Sequence, residues 1–198
     1  MEKNRKQIIW SIIGIVILIL MAISVSYAAV FYSKTGEKVN TVTTGTITMS
    51  YSENTNGINL TDAYPMADGI GKTLSQQNQY FDFTISATLG DTIINYAVTA
   101  TKESDSTLPD NAVKVYLTDI NGGADKEILA TTKISDLDIT RSHVSGAPDG
   151  QFLLYSNSFS KNTSNNYRLR MWVASDYVLP LESQTYKLRV NVYGSVVA

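Results

Sequence analysis

Residues 81–87, Phe81-Asp82-Phe83-Thr84-Ile85-Ser86-Ala87, alternate apolar and polar side chains without a break. In an extended chain successive side chains point to opposite faces, so Phe81, Phe83, Ile85 and Ala87 share one face and Asp82, Thr84 and Ser86 the other. A 3.6-residue period would scatter both sets around a helix. The stretch therefore reads as a strand with one buried face.

The same period recurs on both sides. Ile47, Met49 and Tyr51 form one such face; Ile94, Tyr96, Val98 and Ala100 form another; Val113, Val115 and Leu117 a third. Further on come Phe152, Leu154 and Phe159, then Tyr167, Leu169, Met171 and Val173, then Tyr186, Leu188, Val190 and Val192. Turn-forming residues separate the runs: Leu89-Gly90-Asp91, Leu108-Pro109-Asp110-Asn111, Asn121-Gly122-Gly123 and Ala147-Pro148-Asp149-Gly150. Short strands at this spacing predict an all-β domain, an antiparallel two-sheet sandwich of jelly-roll type. Residues 133–137 fit one helical turn, and the segment from Leu60 to Gln77, with Pro65, Gly69 and Gly71, is the longest predicted loop.

Ahead of this domain, Ile8 to Ala29 carries no charge and is long enough to cross a bilayer core as a helix. Lys3, Arg5 and Lys6 precede it, which predicts a cytoplasmic N-terminus and an extracellular or cell-surface location for the rest of the chain. The expected division is residues 1–28 as a signal peptide or N-terminal transmembrane segment and residues 29–198 as the exported domain. Ser26-Tyr27-Ala28 supplies the small-x-small pattern of a signal-peptidase site, with the cut between Ala28 and Ala29. The length of the apolar run fits a retained anchor equally well, with Tyr27, Phe31 and Tyr32 at the headgroups.

The chain has 198 residues and no cysteine, so disulfides, thiolate metal sites and a Cys nucleophile are excluded. Without Glu2 and the three leading bases, 13 bases face 17 acids, a balance that argues against a nucleic-acid partner. The single histidine, His143, lies in a polar stretch beside Arg141. One imidazole makes neither a two-histidine zinc helix nor a convincing Ser-His-Asp triad, so no enzyme, metal or cofactor is expected. Asp119 to Glu127 has oxygen ligands at suggestive spacing but not the order of a calcium loop, and reads as a hairpin turn. Arg168, Arg170, Trp172, Lys187 and Arg189 occupy outward register positions on two late strands and form a candidate binding face if those strands pair; otherwise they coat solvated sheet.

The run Asn40 to Ser50 (NTVTTGTITMS), then Ile58-Asn59-Leu60, the aromatic strand Phe81 to Ile85, the strand Ile94 to Ala100 and the closing Tyr186 to Val192 resemble TasA/camelysin-type proteins of Gram-positive bacteria. The resemblance covers the signal region, about 70 residues beyond it and the C-terminus. It implies a jelly-roll-like sandwich, export through a SipW-type signal peptidase, and assembly into extracellular biofilm-matrix fibres. In such fibres the mature N-terminal segment, here Ala29, Val30, Phe31, Tyr32 and Ser33, inserts as a donor strand into the sheet of the next subunit, so the partner is a second copy. The aromatic pair and polar residue of the family's processing signal are present, whereas Lys34 stands where the family has an acid. Camelysin is described as a metalloprotease; one histidine and no zinc-binding helix argue against carrying that activity over. The alternative is a membrane-anchored extracellular or viral surface binding module.

Overall fold

A computed structural model describes residues 31–35, 40–44, 47–53, 58, 64–76, 79–90, 92–178, 180 and 182–197, with side chains from Thr48 onward. The expected N-terminal helix, the Ala28/Ala29 cut, and Ala29 and Val30 lie outside the described residues. No helix among the described residues is long and apolar enough to cross a membrane.

The strands are β1 (Phe31–Thr35), β2 (Asn40–Thr44), β3 (Ile47–Glu53), β4 (Tyr80–Thr88), β5 (Ile93–Lys102), β6 (Val113–Asp119), β7 (Lys126–Lys133), β8 (Phe152–Phe159), β9 (Thr163–Val173) and β10 (Leu188–Val197). They form two antiparallel sheets, a four-stranded one in the order β1-β10-β5-β8 and a six-stranded one in the order β2-β3-β4-β9-β6-β7. The all-β two-sheet sandwich predicted from the alternation is therefore the fold.

The predicted inward sets meet between the sheets. Phe83, Ile85, Tyr96, Val98, Leu117 and Val192 have no exposed surface, and each such side chain contributes about 1.5–3 kcal/mol on burial. Aromatic rings run through the interior: Phe83 packs on Tyr167 at 5.4 Å between centroids, Tyr167 on Tyr155 at 5.9 Å, and Tyr96 stacks on Phe159 at 4.5 Å. The hydroxyls of Tyr96 on β5 and Tyr167 on β9 hydrogen-bond to each other across the sheets. Each phenol thus satisfies its polar end inside an apolar core.

Strand β8 departs from simple alternation. Its register against β5 shifts between Val98 and Thr99, so the buried Leu154 and Phe159 come from opposite parities of the same strand. A bulge turns one extra residue past the partner and flips the inward set. Strand β7 was not expected, because Ile128 and Leu129 are adjacent rather than alternating; it pairs with β6 with two register shifts.

Both outer faces carry covers. Residues 64–76, containing the short helix α1 (Asp68–Gly71), cross the outer face of the six-stranded sheet; the Met66 N–H donates to the Val173 carbonyl at 3.1 Å. An added Cβ on Gly71 would come within 2.3 Å of the Trp172 ring, so only glycine lets this backbone lie on the indole. On the four-stranded sheet the cover is the loop between β7 and β8. There Gln151 accepts from the Thr99 hydroxyl and donates to the Tyr193 hydroxyl at 3.0 Å. The loop turns through Ser142, His143 and Ser145 with φ of 56°, 50° and 49°, and the His143 N–H donates to Asp149 at 2.9 Å. Its turn Val144–Gly146 lies alongside β1, β5 and β10.

Gly194 on β10 lies tight against β3 of the other sheet, because a Cβ there would sit 2.5 Å from Met49 Cε and 2.8 Å from its sulfur. Gly194→Val should cost about 1–3 kcal/mol by overpacking, read as a lower denaturant midpoint, and Met49→Ala should restore part of the loss in the double variant. The buried phenols of Tyr167 and Tyr186 are held well above the ordinary tyrosine value of 10.0, first by desolvation and then by their hydrogen bonds to Tyr96 and Asp110. Their contribution is complete below pH 10 and is lost as pH rises further, because only the unfolded chain then gains phenolate. In an alkaline titration these two phenolates should appear only in the same step as loss of the near-ultraviolet circular dichroism; an earlier phenolate signal from either residue would contradict their burial.

Candidate functional site

The five residues of the candidate binding face do not come together. Strand β9 is flanked by β4 and β6 in the six-stranded sheet, and β10 by β1 and β5 in the four-stranded one. The pairing on which a common face depended is absent. Arg168 lies opposite Asp82 and grips its carboxylate with Nε and Nη2, both at 2.7 Å, while its guanidinium covers the Tyr80 ring at 4.0 Å. Arg170 is 3% exposed; its Nη2 meets Asp125 at 2.7 Å and its Nε donates to the Leu74 carbonyl at 2.7 Å. Trp172 is fully buried beneath Gly71. Lys187, just before β10, pairs with Asp105, and Arg189 pairs with Glu103 at 2.7 Å.

Two of the five are thus interior to the cover, and all four cations already have carboxylate partners. The cover is built from the same chemistry. Lys114 reaches Asp68 at 2.8 Å, Lys72 reaches Glu127 at 3.0 Å, and the Lys72 ammonium lies 4.8 Å from the centre of the Tyr116 ring. Burial of Tyr116 pushes its phenol above the ordinary value. The sequence did contain a signal for this. Trp172 and Tyr116 are large aromatic side chains at outward positions, and a sheet that presents them outward on neighbouring strands calls for something to lie over them.

The residues read as a hairpin turn form one. Asp119 Oδ1 accepts the Asn121 N–H at 2.8 Å and its Nδ2 at 2.6 Å, and Asn121 Oδ1 accepts from Asn166 at 2.9 Å. The two remaining carboxylates, Asp125 and Glu127, belong to the ion pairs with Arg170 and Lys72. Among the described residues no group of three or more His, Asp or Glu side chains is placed to share a metal ion. His143 is exposed on the strained turn of the second cover.

The donor-strand residues occupy a different position. Phe31, Tyr32 and Ser33 belong to β1, the outermost strand of the four-stranded sheet, which among the described strands pairs with β10 alone. The register runs from Phe31 opposite Ser195, through Tyr32 opposite Gly194, to Thr35 opposite Asn191. Residues 36–39 join it to β2, the outermost strand of the six-stranded sheet. The N-terminal segment therefore supplies an edge strand to each sheet on the same side of the sandwich. An edge strand held by one neighbour is the element a β-sheet can exchange without opening its core.

No protein-family model and no curated protein matches the sequence.

Removing the partner of the buried guanidinium leaves an uncompensated charge, whereas an exposed pair is screened by water. Asp125→Ala should destabilise the domain by about 3 kcal/mol, and Lys187→Ala should leave the denaturant midpoint unchanged within error. Equal effects of the two substitutions would contradict the distinction drawn between the covered and the solvated cations.

Proposed function

We propose that the chain is an exported structural subunit, a TasA-like component of a cell-surface or biofilm-matrix fibre, which polymerises by exchanging its N-terminal strand. The observation that carries this reading is the position of Phe31–Thr35 as a terminal edge strand on β10. In a monomer this segment completes the chain's own four-stranded sheet. In a polymer the same residues take the same register on β10 of the next copy, so the contacts are conserved and only their connectivity changes. The partner is then a second copy of the chain, and the signal peptidase acts beforehand by freeing the end at Ala29.

Export supports the reading from the other end of the segment. The apolar run with leading bases directs the sandwich across the membrane, and a cut after Ala28 leaves Ala29 and Val30 as a short extension in front of β1. A retained helix would tether β1 to the bilayer, and the protein would then be an anchored surface module.

Two measurements test the proposal together. The native protein should begin at or near Ala29 and be recovered outside the membrane; an intact N-terminus in the membrane fraction supports the anchored module. The purified mature domain should form filaments in electron micrographs, and deletion of Ala29 to Ser33 should leave monomers. Filaments that survive the deletion rule out strand exchange through this segment.

A further inference from the structure

The loop between β7 and β8 has a firmly tied base and a strained tip. At the base Thr140 and Gln151 close on each other: the Thr140 N–H donates to the Gln151 carbonyl at 2.8 Å, the Gln151 N–H to the Thr140 hydroxyl at 2.9 Å, and that hydroxyl to the Pro148 carbonyl at 2.7 Å. The Gln151 side chain fastens this base to Thr99 on β5 and Tyr193 on β10. Both are strands that stay in the sheet when β1 leaves it. The tip, Val144–Gly146, reaches further and lies alongside β1 as well as β5 and β10. β1 is the edge strand, and Tyr193, which holds the loop's base, stands opposite Ser33 in its register. The loop therefore spans the boundary between the strand that can be exchanged and the strands that cannot.

Ser142, His143 and Ser145 hold φ of 56°, 50° and 49°, in the left-handed region that L side chains rarely adopt. Such a turn keeps its shape only while its surroundings hold it. One support is internal, the Asp149 carboxylate that accepts the His143 N–H at 2.9 Å; another is the sheet edge against which the tip lies. A turn that leans on both couples them: loosening it from within frees β1, and withdrawing β1 lets it relax. We infer that this loop is a latch on β1, its base fixed to β5 and β10 and its strained tip keeping the edge strand on β10, so that opening of the tip sets how readily β1 leaves. The latch's part in assembly rests on the strand-exchange reading; its hold on β1 is a property of the single subunit.

The test follows amide hydrogen exchange of the full chain in lipid nanodiscs, one copy per disc so that no neighbour can lend or take a strand, in peptides spanning residues 31–35 and 80–88. In the unaltered chain both peptides should be protected. Asp149→Ala, a change at an exposed position, should speed exchange in 31–35 by about fivefold, the worth of one hydrogen bond, and leave 80–88 within about twofold of the unaltered chain, since the two are separate opening units. Asp149→Asn keeps an acceptor for the His143 N–H and should restore 31–35 to within about twofold. Absence of protection in 31–35 of the unaltered chain, no acceleration there in Asp149→Ala, equal acceleration in 80–88, or equal acceleration in Asp149→Asn would each overturn the latch. Coupling of Asp149 to 31–35 in a protein that forms no filaments keeps the latch and rejects strand exchange between subunits.

Discussion

The two layers of the sandwich are registered against each other by the hydrogen bond joining the Tyr96 and Tyr167 hydroxyls inside the aromatic column. Both rings are fully buried and would be costly to bury with their hydroxyls unmatched. Pairing the hydroxyls with each other removes that cost and fixes which residue of β5 faces which residue of β9. Asn165 adds a weaker contact, its amide donating to the Tyr96 hydroxyl at 3.4 Å. Because β5 and β9 are both interior strands of their sheets, setting their mutual position sets that of both layers. The close approach of Gly194 to Met49 joins the same two layers at a second point, and the inward turn of Phe159 follows from the bulge in β8.

The outer faces are treated differently. Each layer has a segment of its own folded over it, and the two segments use different means. Residues 64–76 lie on Trp172 and Tyr116 and are fastened by cations rising from the sheet, with Arg170 nearly enclosed. The loop before β8 is fastened by uncharged groups, with Gln151 bridging Thr99 and Tyr193 and Thr140 donating to the Pro148 carbonyl at 2.7 Å. It also accepts three non-glycine residues in the left-handed region, a conformation that persists only where the surroundings hold it. The protein is a two-layer core with a partial third layer on each side.

Much of the core was legible because alternation carries its own direction. Once Phe81, Phe83, Ile85 and Ala87 are placed inside, nothing else along that strand is free to choose. Strand β8 escaped because a single bulge reverses the parity between Leu154 and Phe159, and a period-2 reading has no way to register an extra residue. The proposed cationic face failed for a reason of another kind. Local pattern tells which side of a strand Arg170 and Trp172 occupy, but whether a distant segment lies over that side depends on a contact with Leu74, almost a hundred residues away. Sequence order also gave no means of seeing that β9 and β10 end in opposite layers. The position of Phe31 to Ser33 at the edge of the chain's own four-stranded sheet was not legible, since five residues after an apolar run carry no periodicity of their own.

The four residues 36–39 connect an edge strand of one layer to an edge strand of the other. Fully extended, the chain from Thr35 to Asn40 spans at most about 18 Å. In a polymer built by strand exchange this is the whole covalent leash between the strand a subunit lends and the sandwich it keeps. So short a leash leaves little room for one sandwich to swing against the next. Such a filament would be stiff, with a repeat governed by the thickness of a single domain.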